Sequence, residues 1–241
     1  MIVPLEWDSA HFGFPVARVE PGDAPLPDLE ADLRAAREAG VRLACCSRPA
    51  EAPLAEAVLA RHGGRALTAS LLFAKRLDEG RRPVPAGITV ERVTAGSEAL
   101  RQLAPECGRY SRFRLDPEFP REAFVSLYEI WLQRSVAGEI ADQVLSVGSG
   151  GHRDLGLVTI VRPDRATGRI GLIGVRDGAR GKGLGRALVA AAEVAMEAAG
   201  AERTEVSTHL ENHAARRLFA SFGYEPGLPQ RQYHFWLEPA S

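Results

Sequence analysis

Three glycines alternate with other residues in the segment Arg180-Gly181-Lys182-Gly183-Leu184-Gly185-Arg186, directly before a long stretch of helical apolar periodicity. Glycine lets the backbone come close to a ligand, and the first N–H groups of a helix have no intrahelical acceptor. These donors also lie at the positive end of the helix dipole, which favours anions. The segment therefore predicts a site for a phosphate-rich ligand, and a loop of this kind fits a pyrophosphate.

Two common phosphate-binding motifs do not fit this segment. A Walker loop needs a glycine five residues before its Gly-Lys pair and a Ser or Thr after it, but Arg176 and Gly183 stand there. A dinucleotide fingerprint needs glycine where Arg186 stands, and a parallel βαβ unit where three antiparallel-looking strands precede the loop. The alternative is a flexible loop that binds no ligand. Lys182 is interpreted as a solvated charge rather than a base.

The elements around the loop alternate between helix and strand patterns. Ser97 is a candidate N-cap, and Gly40 a candidate helix stop. The patterns predict helices over residues 28–39, 53–62, 97–107, 121–136, 183–199 and 212–222, and strands over residues 41–47, 66–77, 88–93, 144–147, 156–161, 169–175, 204–208 and 230–237. This alternation indicates a mixed α/β fold.

A charged, Pro- and Gly-rich stretch over residues 78–87 interrupts the periodic patterns. We therefore predict an N-terminal α/β domain over residues 1–80, a linker over residues 81–87 and a second domain over residues 88–241. A unit of about 80 residues buries little surface of its own. The first domain is expected to pack on the second.

The composition excludes several classes of protein. Thirty basic and 31 acidic side chains give a net charge of −1, which removes the electrostatic basis for binding nucleic acid or anionic membranes. No apolar run reaches the roughly 18 residues of a membrane-spanning helix. Glu6 and Asp8 stand where a signal peptide needs a cationic segment, so we expect a cytoplasmic protein. The three cysteines, with Cys45 and Cys46 adjacent, have no disulfide or metal-site spacing and are expected to be reduced.

Two motifs carry a resemblance to a known family. The loop resembles the Arg-x-x-Gly-x-Gly motif of the GNAT acyl-CoA N-acyltransferases, with Arg180, Gly183 and Gly185 in the named positions. Residues 212–224 are similar to that family's Asn-x-x-Ala-x-x-Leu-Tyr-x-x-x-Gly-Phe motif. The resemblance covers residues 88–238. It implies the α/β GNAT fold, a mixed and mostly antiparallel central sheet flanked by helices, with acetyl-CoA as donor in direct transfer to an amine.

A finer resemblance extends over nearly the whole chain. Residues 5–14, 111–114, 128–131 and 206–209 look like segments of the TDP-fucosamine acetyltransferase group. This implies a bacterial enzyme that acetylates an amino sugar carried on a nucleotide diphosphate. Other acceptors stay open, namely an antibiotic, a natural-product intermediate or a protein N-terminus, as do a longer acyl donor, a non-catalytic acyl-CoA-binding module and a homodimeric assembly.

The resemblance also implies how the donor is held. The strand over residues 169–175 is expected to splay from the strand over residues 204–208, and N–H groups in the first would polarise the thioester oxygen in the opening. Asn212 is a cofactor contact that can serve equally as a helix N-cap. The cofactor-binding residues implied are Ile173, Gly174, Val175, Arg180, Gly181, Lys182, Gly183, Leu184, Gly185, Arg186, Asn212, Ala215 and Phe219.

The catalytic residues are less clear from the sequence. Phe219 stands where the resembling enzymes have a tyrosine that protonates the departing sulfur, and phenylalanine has no proton to give. The substitute acids considered are Tyr224, Tyr233, Ser221 and His213. His209 is the leading candidate base, because histidine titrates near neutral pH. Glu211 and Asp116 are weaker candidates, interpreted as solvated charges.

Few residues of the sequence indicate where the acceptor binds. Arg112 and Arg114 could hold the acceptor's diphosphate, or belong to a basic surface loop. Tyr128 and Trp131, three residues apart on one helix, form either a sugar platform or part of the core. His234 lies in an alternating strand, which favours a structural role.

Overall fold

The structure is a computed structural model that describes residues 1–20, 26–77 and 82–238. Eleven strands in this part form one sheet. They are β1 (Ile2–Pro4), β2 (Val16–Val19), β3 (Leu43–Pro49), β4 (Gly64–Arg76), β5 (Ile88–Arg92), β6 (Gln143–Ser149), β7 (His152–Val161), β8 (Thr167–Val175), β9 (Arg203–His209), β10 (Glu225–Pro226) and β11 (Gln230–Trp236).

The α-helices of the described part agree with the predicted ones where they are long. They are α1 (Glu6–Phe12), α2 (Leu26–Glu38), α3 (Glu56–Arg61), α4 (Glu98–Cys107), α5 (Arg112–Leu115), α6 (Arg121–Val136), α7 (Leu184–Ala198) and α8 (His213–Ser221). Ser97 caps α4 by accepting the N–H of Leu100, as its position predicts. None of the described helices has the length and apolar character needed to cross a bilayer.

The sequence patterns missed several short elements. These are β1, α1, β2, α5, β10 and a 3₁₀ turn over Asp177–Ala179. Helix α1 has seven residues, none of them buried, and its N-cap residue makes no side-chain capping hydrogen bond. Elements this short contain too few repeats of the apolar pattern to be recognised in the sequence.

The sheet is mixed and mostly antiparallel, as the family resemblance implies. Its strand order is β1-β2-β3-β11-β4-β9-β8-β7-β6-β5, with β10 paired to β4. Only the pairs β2/β3 and β8/β9 are parallel. The last strand, β11, lies between β3 and β4, and β4 pairs with β9. One sheet therefore spans both predicted domains, and the predicted linker connects two of its strands. Arg81, the first linker residue, lies outside the described residues.

Helices cover both faces of the sheet. On one face, α7 packs over β5 to β8, α8 packs over β4 and β9, and α2 packs over β3 and β11. On the opposite face, α4 and α6 pack over β6 to β8, while α5 contacts β4 and β11. On this second face β4 and β9 are only partly covered, because Leu72 is 44% exposed and Ser207 is also exposed. The uncovered strip lies at the centre of the sheet.

Candidate active site

The glycine segment forms the entry to α7. Gly181 and Gly183 have φ values of 77° and 82°, in the left-handed region that favours glycine. Gly183 is the N-cap of α7 and has no side chain to bond the first turn. Within the described part of the chain, the N–H groups of residues 181–186 meet no hydrogen-bond acceptor. A row of main-chain donors is therefore free at the N-terminus of a fifteen-residue helix.

The strands β8 and β9 diverge next to this loop. Their ladder runs from the pair Thr167–Arg203 to the pair Ile170–Val206 and then ends, although both strands continue. In β8, the N–H of Leu172 donates to Thr159 Oγ1 and the N–H of Arg176 donates to Leu155 O, both toward β7. Because successive residues of a strand point their N–H groups to opposite edges, those of Ile173 and Val175 face the gap. The predicted splay is present, and it presents two free amides.

Loop, gap and neighbouring helices together line one cleft of about 300 Å³. One wall comes from the end of α4 and the turn after it, the other from the start of α8. The lining residues are Glu106, Cys107, Arg109, Tyr110, Ile173, Gly174, Val175, Ala179, Arg180, Gly181, Gly183, Leu184, Gly185, Asn212, Ala214, Ala215, Leu218 and Phe219. Eleven cofactor-binding residues of the sequence prediction are therefore neighbours in space, while Lys182 and Arg186 lie outside the lining.

This cleft fits coenzyme A chemically. The unpaired loop amides suit a pyrophosphate, because hydrogen bonds to a charged group contribute about 1.5–3 kcal/mol each. The gap between β8 and β9 suits a pantetheine arm, which needs an extended main-chain edge to bond with. GNAT acetyltransferases use acetyl-CoA as their acyl donor. The free amides of Ile173 and Val175 lie where the thioester end of such a molecule would enter.

The charged side chains of the loop support its conformation. Arg180 pairs with Asp177, and its Nε donates to Val175 O at 3.0 Å. Arg186 donates to Ser221 Oγ at 3.1 Å and stacks over the ring of Phe222. Lys182 is exposed and has no partner among the described residues, which agrees with its interpretation as a solvated charge.

The position of Asn212 is compatible with both roles considered for it, helix N-cap and cofactor contact. Its Oδ1 accepts the N–H of Ala215 at 3.2 Å, so it is the N-cap of α8. It also lines the cleft beside Ala215. The cap orients the first turn of α8 toward the gap between the strands.

Phe219 lies at the inner wall of the cleft. Its side chain is 1% exposed and packs against Phe73 and Tyr224 at ring-centroid distances of 5.9 and 5.8 Å. Phenylalanine has no proton to give, so a proton donor has to come from another residue of the cleft.

The four substitute acids from the sequence do not line the cleft. The hydroxyl of Tyr224 is hydrogen-bonded to Thr204 Oγ1, and burial raises its pKa far above the usual value. The hydroxyl of Tyr233 accepts the N–H of Leu54 in the core between α2 and the sheet. Ser221 donates to Leu218 O, and His213 is exposed on the outer side of α8. The structure therefore does not bring them to the place where a leaving sulfur would be.

Tyr110 is a hydroxyl-bearing residue of the cleft that sequence reasoning missed. It is half-buried in the turn after α4 and lies on the wall opposite Phe219. Its hydroxyl makes no hydrogen bond within the described residues. The only sequence signal was its position directly before residues 111–114, the segment already singled out for the acceptor side.

His209 stands at the end of β9, past the point where β9 leaves β8. Its antiparallel partner on β4 is Ser70, and Ser207 faces Leu72 on the same side, so these side chains form the uncovered strip. Burial lowers the pKa of His209, and Arg112 lowers it further against the opposing effect of Glu211. The imidazole is therefore neutral at pH 7 and able to accept a proton.

The remaining predicted residues lie on the same face as this strip. Arg112 Nη1 donates to Gln232 Oε1 at 3.4 Å, and no carboxylate among the described residues forms an ion pair with it. Arg114 is exposed on α5. Tyr128 is 6% exposed, stacks with Trp131 at 5.8 Å and belongs to the core between α6 and the sheet. Tyr128 is therefore a core residue rather than an open platform.

The interpretation of Asp116 as a solvated charge was wrong. Its side chain is 2% exposed and accepts hydrogen bonds from Trp236 Nε1 and from the N–H of Glu118. A third contact, at 2.6 Å, joins it to Nδ1 of the fully buried His234. Burial alone would raise the pKa of Asp116, but these hydrogen bonds outweigh it and lower the pKa. His234 is buried, as its strand pattern predicts.

Comparisons with known proteins agree with this geometry. Residues 109–224 match the Acetyltransferase (GNAT) family. Mycothiol acetyltransferase of Beutenbergia cavernae is 44% identical over 71 residues, which are 30% of this chain and 24% of that protein. The matched segment is thus about a quarter of that relative's length.

Solved structures show the same fold. A tandem GNAT protein from the clavulanic acid biosynthesis pathway superposes with a TM-score of 0.58 at 19% identity, covering 95% of this chain and 77% of that one. A GCN5-related N-acetyltransferase from Kribbella flavida gives 0.58 at 21% identity, covering 92% and 81%. Another from Sphaerobacter thermophilus gives 0.60 at 18% identity, covering 100% and 77%.

Proposed function

Because the chain has the GNAT fold and matches the GNAT acetyltransferase family over residues 109–224, we propose that it is an acetyl-CoA-dependent N-acetyltransferase acting on a small-molecule amine. The observation that carries this proposal is the row of unpaired amides over residues 181–186, which shares one cleft with the open edge of β8. The donor enters from the α7 and α8 side of the sheet. The acceptor approaches along the uncovered strip on the opposite face.

We assign a residue of this chain to each step of the transfer. Acetyl-CoA supplies the activated acetyl group. His209 takes the proton from the acceptor amine at its neutral imidazole. The N–H groups of Ile173 and Val175 hold the thioester oxygen and stabilise the negative charge that it gains during attack. Tyr110 donates its hydroxyl proton to the departing sulfur, the role that Phe219 has lost.

The finer acceptor class we propose is an amino sugar carried on a nucleotide diphosphate. Its support is the sequence resemblance and Arg112, which lies at the edge of the uncovered strip and forms no close ion pair with a carboxylate of the described residues. A planar guanidinium of this kind suits a phosphate. The relative named mycothiol acetyltransferase makes a mycothiol-type acceptor the competing choice.

A thiol-release assay with acetyl-CoA over a panel of amines tests this function. The panel contains nucleotide-linked amino sugars, a mycothiol-type amine, antibiotic amines and a peptide N-terminus. Release that depends on one class of amine identifies the acceptor.

Phe219 favours a second candidate function, a non-catalytic acyl-CoA-binding module. That alternative is correct if calorimetry detects acetyl-CoA binding and no amine releases thiol.

Replacing His209 with glutamine is expected to lower kcat by about 10²-fold, because general bases contribute about 10²–10⁴-fold. Since the pKa of His209 is lowered from its usual value of about 6.5, wild-type activity should fall only as the pH drops below that value. The variant should lose this decrease in activity at acidic pH. Steady-state kinetics between pH 5 and 8, with His213→Gln as an exposed control, checks both results. An unchanged rate and profile would exclude His209 as the base.

Replacing Tyr110 with phenylalanine is expected to lower kcat by about 10²-fold, the low end of general acid catalysis, because a thiol with a pKa of about 8.5 already leaves readily. The KM for acetyl-CoA should change little. Phe219→Tyr in the same chain should restore much of the rate, since it returns a hydroxyl to the opposite wall of the cleft. Unaltered turnover in the single variant would assign the proton to another group.

A further inference from the structure

Cys45, His234 and Asp116 are consecutive neighbours on the face of the sheet that α1 and α5 cover. Cys45 on β3 and His234 on β11 are direct partners across an antiparallel pair. Side chains in such a pair share one face, with Cβ atoms about 4.5–5.5 Å apart. Asp116 Oδ2 lies 2.6 Å from His234 Nδ1 and is itself fixed by Trp236 Nε1. The order is thiol, imidazole, carboxylate.

We propose that these three residues form a nucleophilic thiol site that reacts with small electrophiles carrying a carboxylate group. Asp116 holds the imidazole through Nδ1, so Nε2 is the nitrogen left to take the thiol proton. His234 Nε2 is buried and has no hydrogen-bond partner in the described residues. This is the arrangement by which a base and an orienting group activate a nucleophile.

A pocket of about 250 Å³ borders Cys45, which is 3% exposed. It is lined by Leu5, Asp8, Arg18, Cys45, Cys46, Ser47, Arg112 and Gln232. Arg112 Nε is buried here without a hydrogen-bond partner in the described residues. An unsatisfied buried donor of positive charge favours an anionic oxygen, and this is the basis for the carboxylate preference. The carboxylate of Asp8, which lines the same pocket and interacts electrostatically with Arg112, opposes this preference.

The site is separate from the acetyl-CoA cleft. Along the sheet, β3 is three strands away from β9, whose far edge borders that cleft. At about 4.8 Å per strand the separation is roughly 14 Å. The thiol is therefore not within reach of an acyl group held between β8 and β9. Arg112 is shared with the proposed acceptor side, but alkylation of Cys45 does not require the transferase reaction.

The charges around Cys45 favour its ionised form. Burial opposes ionisation, but Arg112 on α5 and the imidazole of His234 outweigh it and hold the pKa of Cys45 below the usual value. Asp8 on α1 acts in the opposite direction, and Arg18 on β2 faces the same pocket while paired with Glu20. In contrast, burial raises the pKa of both Cys46 and Cys107 to about 12. The chain thus contains its own unreactive controls.

The reaction is a substitution at carbon. The proton of the thiol moves to His234 Nε2, and the sulfur forms a bond to the electrophilic carbon. The bond from that carbon to the leaving group breaks, and the leaving group departs with the electron pair. With iodoacetate as the probe, the products are S-carboxymethyl-Cys45 and iodide.

Alkylation of the native full-length protein by iodoacetate at pH 7, read by mass spectrometry of peptides, tests the site. We expect Cys45 to react at least ten-fold faster than Cys46 and Cys107, and faster with iodoacetate than with uncharged iodoacetamide. Asp116→Asn should shift the midpoint of the rate against pH upward, and His234→Gln should abolish the enhancement, with circular dichroism as the folding control. Cys45→Ser should remove the label.

Two results would overturn the proposal. One is a Cys45 no more reactive than the other two cysteines in the native wild-type protein, a comparison that needs no variant to fold. The other is a reactive Cys45 that prefers iodoacetamide, or whose rate and pH profile are the same in Asp116→Asn.

Discussion

Replacing Gly183 with valine is expected to weaken acetyl-CoA binding by about 10²–10⁴-fold. Gly183 has φ 82°, a conformation that a β-branched residue adopts only with strain. Relief of this strain would turn the first peptides of α7 away from the cleft. The loss of two hydrogen bonds to a charged group, at about 1.5–3 kcal/mol each, corresponds to the stated change in Kd. Isothermal titration calorimetry with acetyl-CoA measures it.

Gly178→Ala is the matched control for this variant. Gly178 lies in the 3₁₀ turn just before the loop, its φ is not positive, and an added Cβ would meet nothing within 4 Å. Its Kd should equal that of the wild type. A folded Gly183→Val protein that binds acetyl-CoA normally would show that the conformation at residue 183 does not determine the donor site.

The second large effect is on stability. Lys75 Nζ lies 2.9 Å from Glu193 Oε1, with side-chain exposures of 3% and 8%, and joins β4 to α7. Lys75 Nζ also donates to Phe222 O at 3.0 Å. Glu193→Ala leaves the ammonium buried and unpaired, which typically costs about 3–5 kcal/mol. We expect a decrease of this size in the free energy of unfolding, measured by urea denaturation.

Two further variants make the stability result specific. Lys75→Met combined with Glu193→Leu should recover most of the loss, because it removes both charges and fills the space with apolar side chains. Arg101→Ala, which breaks an exposed ion pair with Glu98, should leave the unfolding midpoint unchanged. A Glu193→Ala protein as stable as the wild type would mean that Lys75 reaches water in the folded state.

Most of the predicted cofactor-binding residues lie in one cleft because they are close along the chain. The loop over residues 180–186 and the start of α8 are local motifs, and a strand between them sets their relative position. The strands of the sheet and the long helices could be predicted for the same reason, since apolar periodicity is a local property of the sequence. Even the loss of the tyrosine at Phe219 is visible in the sequence.

Groups that are brought together from distant parts of the sequence could not be predicted in the same way. Tyr110 comes from a turn about one hundred residues before Phe219, and only the packing of α4 beside the gap brings it to the cleft. His234 is 118 positions from Asp116 and still farther along the chain from Cys45. Their contact depends on β11 lying between β3 and β4, an arrangement that no local pattern encodes. Asp116 looked like a solvated charge because His234 and Trp236, the side chains that contact its carboxylate, are remote in sequence.

The most direct test of the donor site is a crystal structure of the protein with coenzyme A. We expect pyrophosphate oxygens within about 2.7–3.2 Å of main-chain nitrogens in residues 181–186, and the pantetheine arm against Ile173 and Val175. A pyrophosphate bound elsewhere, with the loop amides bonded to water or to the protein itself, would contradict the assignment.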